Sequence, residues 1–330
     1  GPLCKYVTRI LDPKDIIYEI DKAIHIAKSG RPGPVLIDLP DDIQRSEIEE
    51  KHLKKFKTPY QKKNDNVCIK KNQLTKVKKL FANSKRPLFI FGNGVKISGA
   101  KSICEKVLKK FKVPYVPTWA SIDLFNTDDD LNAGGFGMYA TRHGNFAVSN
   151  ADLVIILGSR LNGTLTGTNK IGFAAKAKKI HVDIDKNELN LKDGFRVDLK
   201  INGNVKNFLE ELIKINLRLK NFSPWQNQIK VWKHKYPIVS EEYKNQTKYV
   251  NPYLFFEKLS ELTNKDDILM LDTSANLVWA YQAYKINKRQ KIFSALNHSP
   301  MGYSVPAAIG AAVSTKKNII AVIGDSGMQM

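Results

Sequence analysis

The feature that most limits what this chain can fold into is a recurring unit: a short apolar run ends at glycine or aspartate and helical spacing follows. Residues 87–91 run into Gly92-Asn93-Gly94, residues 267–271 into Asp272-Thr273-Ser274, and residues 319–323 into Gly324-Asp325-Ser326-Gly327. Further runs lie at 35–39, 113–116, 152–157 and 179–184. Runs this short and continuously apolar are expected of strands covered on both faces, as in parallel sheets. Alternation with helices, at 98–111, 142–149 and 205–215, predicts an α/β fold with helices on both faces of a parallel sheet.

Composition divides the chain. Asp12-Pro13-Lys14-Asp15 opens a helix to residue 28, with Asp12 as cap, Pro13 at the first helical position and an apolar stripe from Ile16 to Ala27. Residues 1–50 are therefore expected to be the tail of one domain, with 51–70, charged and poor in large apolar side chains, as a linker. Residues 71–217 form a central domain, 218–250 (polar, without a clean period) a second linker, and 251–330 the start of a third domain. The chain stops directly after a strand, so it is expected to be part of a longer protein.

Charge and cysteine content exclude some functions. Lys+Arg number 53 against 32 Asp+Glu, a net charge of +21. A basic field can gather polyanions, but these positives are mostly scattered lysines, and no arginine-rich block interleaves with aromatics as a single-strand binder requires. A nucleic-acid role is therefore the weakest of three readings. Cys4, Cys68 and Cys104 lie far apart without a CxxC, which argues against zinc or a disulfide framework and for a reducing, cytoplasmic compartment. No apolar run approaches the roughly 18 residues of a membrane helix.

Chemistry concentrates at two strand ends. Ligands of open α/β sheets gather at the carboxyl ends of strands, where helix N-termini offer amides to anions. Thr273-Ser274-Ala275-Asn276 suits a phosphate-contacting turn, and Gly324-Asp325 sets one carboxylate at the same edge. A carboxylate beside a diphosphate requires a cation between them, and Mg²⁺ binds through one or two carboxylates plus phosphate oxygens. Alone, Gly-Asp-Ser would be read as a helix cap.

Between these loops runs Asn297-His298-Ser299-Pro300-Met301-Gly302-Tyr303-Ser304-Val305-Pro306-Ala307-Ala308-Ile309-Gly310-Ala311. It resembles the MGYGLPAAIGA stretch that precedes GDGxFxM in the acetolactate synthase family of thiamine-diphosphate enzymes, and residues 324–330 stand at the matching place. Residues 30–44 (GRPGPVLIDLPDDIQ) resemble that family's exit from its pyrimidine-binding domain, and 137–147 its GMHGTRxANxA segment; 151–167 and 181–185 fit as well. The resemblance implies Rossmann-like domains, a central one and the beginning of a diphosphate-binding one.

It also implies roles. Asp325 would ligate Mg²⁺; Gly324, Ser326 and Gly327 would lie along the diphosphate; and Thr273, Ser274 and Asn276 would face it from the other loop, where the family carries Gly-Gln-His. Ser299, Met301 and Gly302 would approach the aminopyrimidine, partly through main chain that glycine exposes, and Met330 would wedge beneath the cofactor. Taken singly, Met301 and Met330 would be read as core. The implied reaction decarboxylates a 2-oxo acid and joins it to a second carbonyl, in a homodimer or homotetramer whose sites lie between subunits. The activating Glu is expected upstream, leaving no catalytic residue in this segment and an inactive fragment.

The family's central domain holds FAD with help from an Arg in RFDDRVTG. Here the match is Arg160-Leu161-Asn162-Gly163-Thr164-Leu165-Thr166-Gly167, so Thr164 replaces that Arg and both Asp are lost. Gly92, Gly94, Arg142, Gly158, Arg160, Asp183 and Asp185 are the candidate flavin or nucleotide contacts, and FAD is left open. The alternative to an enzyme is a non-catalytic nucleotide-binding or regulatory relative.

Overall fold

The computed structural model describes residues 3–58, 69–190, 195–216, 220–287, 289–296 and 298–330. They form two compact units, residues 1–67 and 68–330. In the first, β1 (Tyr6–Arg9) and β2 (Val35–Asp38) pair in parallel, joined by the helix Ile16–Lys28. Asp12 accepts the Lys14 amide at 2.9 Å, with Pro13 beside it, so the capping read from sequence holds. The run at 35–39 is parallel but only half-covered: both strands alternate half-buried and exposed residues. Leu36, expected inside, is 49% exposed.

In residues 68–330 the larger sheet has β3 (Pro87–Phe91), β4 (Tyr115–Pro117), β5 (Leu153–Leu157), β6 (Lys178–Asp183) and β7 (Leu199–Asn202) in the order β4-β3-β5-β6-β7. All its pairings are parallel. Every residue of β3 and β5 is buried. Successive side chains point to opposite faces, so Phe89 and Phe91 enter one core with Val107, Phe111 and Leu209. Leu88 and Ile90 enter another with Val154, Ala147 and Trp225.

Two expectations are corrected here. The helix expected at 98–111 begins only at Lys101 (Lys101–Phe111), after the chain turns at Gly99 with φ +63°, and a short helix, Asn93–Ile97, precedes it where only a glycine turn was read. The segment 218–250 is more than a linker: Ser223–Lys235 is a helix with Pro in its first turn. It buries Trp225 and Ile229 against the central sheet, and the Trp225 indole donates to the Pro87 carbonyl at 3.0 Å. Of the first linker, residues 59–68 lie outside the described residues, Cys68 among them.

The smaller sheet consists of β8 (Ile268–Leu271), β9 (Lys291–Phe293) and β10 (Ile319–Val322) in the order β10-β8-β9, again parallel. It docks on the central sheet's loops through Thr127, whose hydroxyl accepts the Ile286 amide at 2.9 Å and whose amide donates to the Ile286 carbonyl at 3.1 Å. Nearby, the buried Asp123 carboxylate meets Lys96 at 2.7 Å and Lys291 at 3.6 Å. Among the described residues no helix is long and apolar enough to cross a membrane.

Candidate functional site

The chain leaves β8 toward β9 on one side and returns from β9 to β10 on the other. The crevice between β8 and β10 is therefore a point where strand order reverses, the place where open α/β sheets receive ligands. Leu271 and Val322 are paired at its rim, so the turns after them, at 272–274 and 323–327, emerge side by side.

Asp272 organises this edge. Its side chain is buried, at 2% exposure, and its amide donates to the Val322 carbonyl at 3.0 Å. One carboxylate oxygen accepts the Gly302 amide at 3.1 Å and the other the Ser304 amide at 3.2 Å. A buried carboxylate must find donors, and here they come from a loop thirty residues away. Gly327 closes on the same group: a Cβ there would stand 2.5 Å from the Asp272 oxygen and 3.3 Å from the Gly302 amide nitrogen. A Cβ on Gly302, whose φ is +82°, would stand 3.1 Å from Met330 Cβ. The fold thus brings Asp272, Gly302, Gly327 and Met330 together. Sequence reasoning assigned Asp272 no role, although an acid directly after an apolar run was the same signal that singled out Asp325.

Ser274 adopts φ +77°, ψ −154° immediately before the helix Ala275–Ala283. Only glycine enters that region freely; other residues are strained by about 1–3 kcal/mol, and the related family carries glycine there. The Ser274 side chain caps no amide of that helix, and the buried Asn276 side-chain oxygen has no partner. Both polar groups are left unengaged by the protein at this edge. Thr273 is half-buried. Ser299 has φ +37° and its hydroxyl donates to the Leu296 carbonyl; Asn297 lies outside the described residues.

Asp325 is exposed and its carboxylate accepts the Ser326 amide at 2.7 Å, with Gly324 beginning the turn. No cluster of three or more His, Cys, Asp or Glu occurs among the described residues. Mg²⁺ binds through one or two carboxylates together with phosphate oxygens, and Asp325 is the carboxylate this edge presents. Met301 is 45% exposed, against the core reading of it.

Several of the candidate nucleotide contacts have protein neighbours. A Cβ on Gly92 would fall 2.2 Å from the Gly158 carbonyl oxygen, and one on Gly94 2.7 Å from Gly158 Cα. These three glycines let the turns after β3 and β5 meet backbone to backbone. Arg160 is paired with Glu188 at 2.8 Å, and the Arg142 guanidinium lies 5.9 Å from the centre of the Tyr236 ring. Asp183 accepts the Asp185 amide, and Asp185 caps the helix Lys186–Leu189. Thr164 donates to Asn162 at 2.9 Å, where the family's flavin arginine would stand.

Two family models match this chain. Residues 74–212 match the family model described as the central domain of thiamine pyrophosphate enzymes, and 272–330 the one described as their C-terminal TPP binding domain. The acetolactate synthase large subunit of Porphyra purpurea is 33% identical over 100% of this chain and 55% of its own length. That of Lactococcus lactis is 29% identical over 100% and 56%, and acetolactate synthase 2, chloroplastic, of Nicotiana tabacum 30% over 98% and 48%. The chain spans about half the length of these curated relatives. With two domain models matched in order and relatives aligned along nearly all of it, the chain belongs to the thiamine pyrophosphate enzyme family.

Proposed function

We infer that this chain carries the diphosphate- and metal-binding part of an acetolactate synthase-like enzyme, which decarboxylates a 2-oxo acid and joins it to a second carbonyl with thiamine diphosphate and Mg²⁺. The observation that carries the reading is the Asp272 carboxylate, which holds the 302–304 loop at the β8–β10 crevice. Around it Gly302 and Gly327 pack so closely that a Cβ on Gly327 would stand 2.5 Å from its oxygen. When bound, thiamine diphosphate supplies a thiazolium carbanion that adds to a 2-oxo acid's carbonyl and accepts the electrons released with CO₂.

The protein's share is binding and orientation. First-turn amides of the nine-residue helix Ala275–Ala283 would face the diphosphate with the favourable end of the helix dipole. Asn276 adds a buried amide group without a partner for its oxygen. Asp325 would hold Mg²⁺ against the diphosphate, with Ser326 and Gly327 alongside. Gly302, fixed by Asp272, would bring main chain to the aminopyrimidine, and Met301 and Met330 would give apolar contact. A 2-oxo acid as substrate and a homodimer or homotetramer as assembly belong to the same proposal. No step passes through a flavin.

The test is calorimetric titration of the chain with thiamine diphosphate and Mg²⁺. Binding should require Mg²⁺ and fall at least about tenfold, a loss of about 1.4 kcal/mol, in Asp325→Ala. Unchanged affinity in that variant would overturn the proposal.

A further inference from the structure

The segment that follows β4 joins the central sheet to the smaller one. Its base is fixed on β3: the Thr118 amide donates to the Phe91 carbonyl at 2.9 Å, and the Ser121 hydroxyl to the same oxygen at 2.5 Å. From there residues 119–127 reach into the other core. Trp119 stacks on Tyr281 with ring centres 5.5 Å apart, Ile122 packs in the same cluster, and Thr127 exchanges two bonds with Ile286. Between these contacts lies Asp123, its side chain 1% exposed. One carboxylate oxygen meets Lys96, from the helix Asn93–Ile97, at 2.7 Å. The other makes no hydrogen bond and has Lys291, the first residue of β9, 3.6 Å away.

A carboxylate this deeply buried is costly even when paired, and such a pair adds little stability over apolar packing. What it can supply is a fixed arrangement of the parts that meet it. Any shift of the smaller sheet that carries Lys291 away leaves a buried charge with less compensation, and that is strongly unfavourable. The parts so held belong to the candidate site. Tyr281 lies on the helix Ala275–Ala283, whose first turn would face the diphosphate, and β9 runs into the loop whose amides at 302 and 304 Asp272 accepts. Burial pushes the Tyr281 phenol up, and the charge of Asp123 and then Tyr303 of that loop push it further. We propose that Asp123 is a positioning residue for the site: from the central domain it sets, through Lys291, where β9 and the 302–304 loop stand, an assignment that rests on the crevice binding thiamine diphosphate.

The experiment compares the parent chain with Asp123→Asn, which keeps the shape and removes the charge, and with Lys291→Met and Lys291→Arg. Amide hydrogen exchange is followed by mass spectrometry, and thiamine diphosphate with Mg²⁺ is titrated by calorimetry. In Asp123→Asn and Lys291→Met, exchange at 275–283 and 298–304 should quicken at least about tenfold, as local opening separable from global unfolding. Residues 87–91 and 153–157, the strands β3 and β5, should keep the parent's rates. A residue that served only the central core would quicken those strands instead. Affinity should fall at least about tenfold in each variant, no further when the two are combined, and stay at the parent's value in Lys291→Arg. Should Asp123→Asn fail to fold, Lys291→Met, whose side chain is 40% exposed, carries both readings. A parent chain that does not bind thiamine diphosphate would defeat the reading of the crevice, while the exchange rates still decide whether Asp123 holds β9. Parent rates at 298–304 in the folded variants, full affinity in both, or losses that add would each overturn the proposal.

Discussion

Asp272 holds Gly302 across thirty residues of sequence: the amide of the glycine donates to the buried carboxylate at 3.1 Å, and that of Ser304 to its other oxygen at 3.2 Å. Removing the acceptor strands two amides. Asp272→Ala should cost about 2–4 kcal/mol, since each unmet buried donor costs roughly 1–3 kcal/mol. Asp272→Asn keeps one acceptor and should cost about half as much. Urea denaturation measures both, and equal stability of Asp272→Ala and the parent chain would show that the loop does not depend on this residue. Thiamine diphosphate affinity should fall in the same order.

Ser274 sits where glycine is at ease, with φ +77° and ψ −154°. Ser274→Gly should relieve part of a strain of about 1–3 kcal/mol, less what glycine's freer unfolded chain takes back. A net gain of about 1 kcal/mol is expected in denaturant melts. Ser274→Val, β-branched and denied that region, should lose stability. A loss on Ser274→Gly would mean that the hydroxyl matters more than the backbone.

Much of the architecture was legible because the central strands are buried on both faces, which writes them as unbroken apolar runs such as 87–91 and 153–157. The helix Ser223–Lys235 escaped because Gln, Asn, Lys and His outnumber its buried residues, although Trp225, Ile229 and Trp232 keep helical spacing. The strand Lys291–Phe293, three residues long, has no pattern to detect. At the site, the glycines and Asp325 were visible as a motif. Asp272 was not, because its role is a contact with a distant loop and no local signal records the partner. Gly92, Gly94 and Gly158 meet the same limit: a glycine that admits a neighbouring backbone looks, in sequence, like one that admits a ligand.

Two buried histidines make stability depend on pH. Burial pushes His143 down to about 4 and His181 down to about 4 from 6.5, and the His181 Nε2 lies 2.9 Å from the Ser159 carbonyl. Between those values the unfolded chain binds more protons than the folded one, so stability rises with pH there. This contribution is complete above about pH 6.5 and is lost as pH falls toward 4, on the order of 3 kcal/mol for each ring at most. Urea midpoints between pH 8 and 4.5 should drop over that window, and His181→Gln should remove about half of the slope. A flat profile would contradict the assignment.

Gly327 tests whether the crevice is as tightly set as the Asp272 bonds imply. Its Cβ would lie 2.5 Å from the Asp272 oxygen and 3.1 Å from Ile323 Cγ1. That oxygen is not the loose end of a flexible chain, since the Gly302 amide fixes it at 3.1 Å. Gly327→Ala must therefore displace either the short helix Asp325–Met328 or the carboxylate itself. The first would cost about 1–3 kcal/mol of overpacking, and the second would release the 302–304 loop. In the double variant Asp272→Ala, Gly327→Ala the obstacle is gone. The two losses should then fail to add by about 1 kcal/mol or more, as contacting residues do. Strict additivity in denaturant melts would mean that glycine at 327 answers to something other than Asp272.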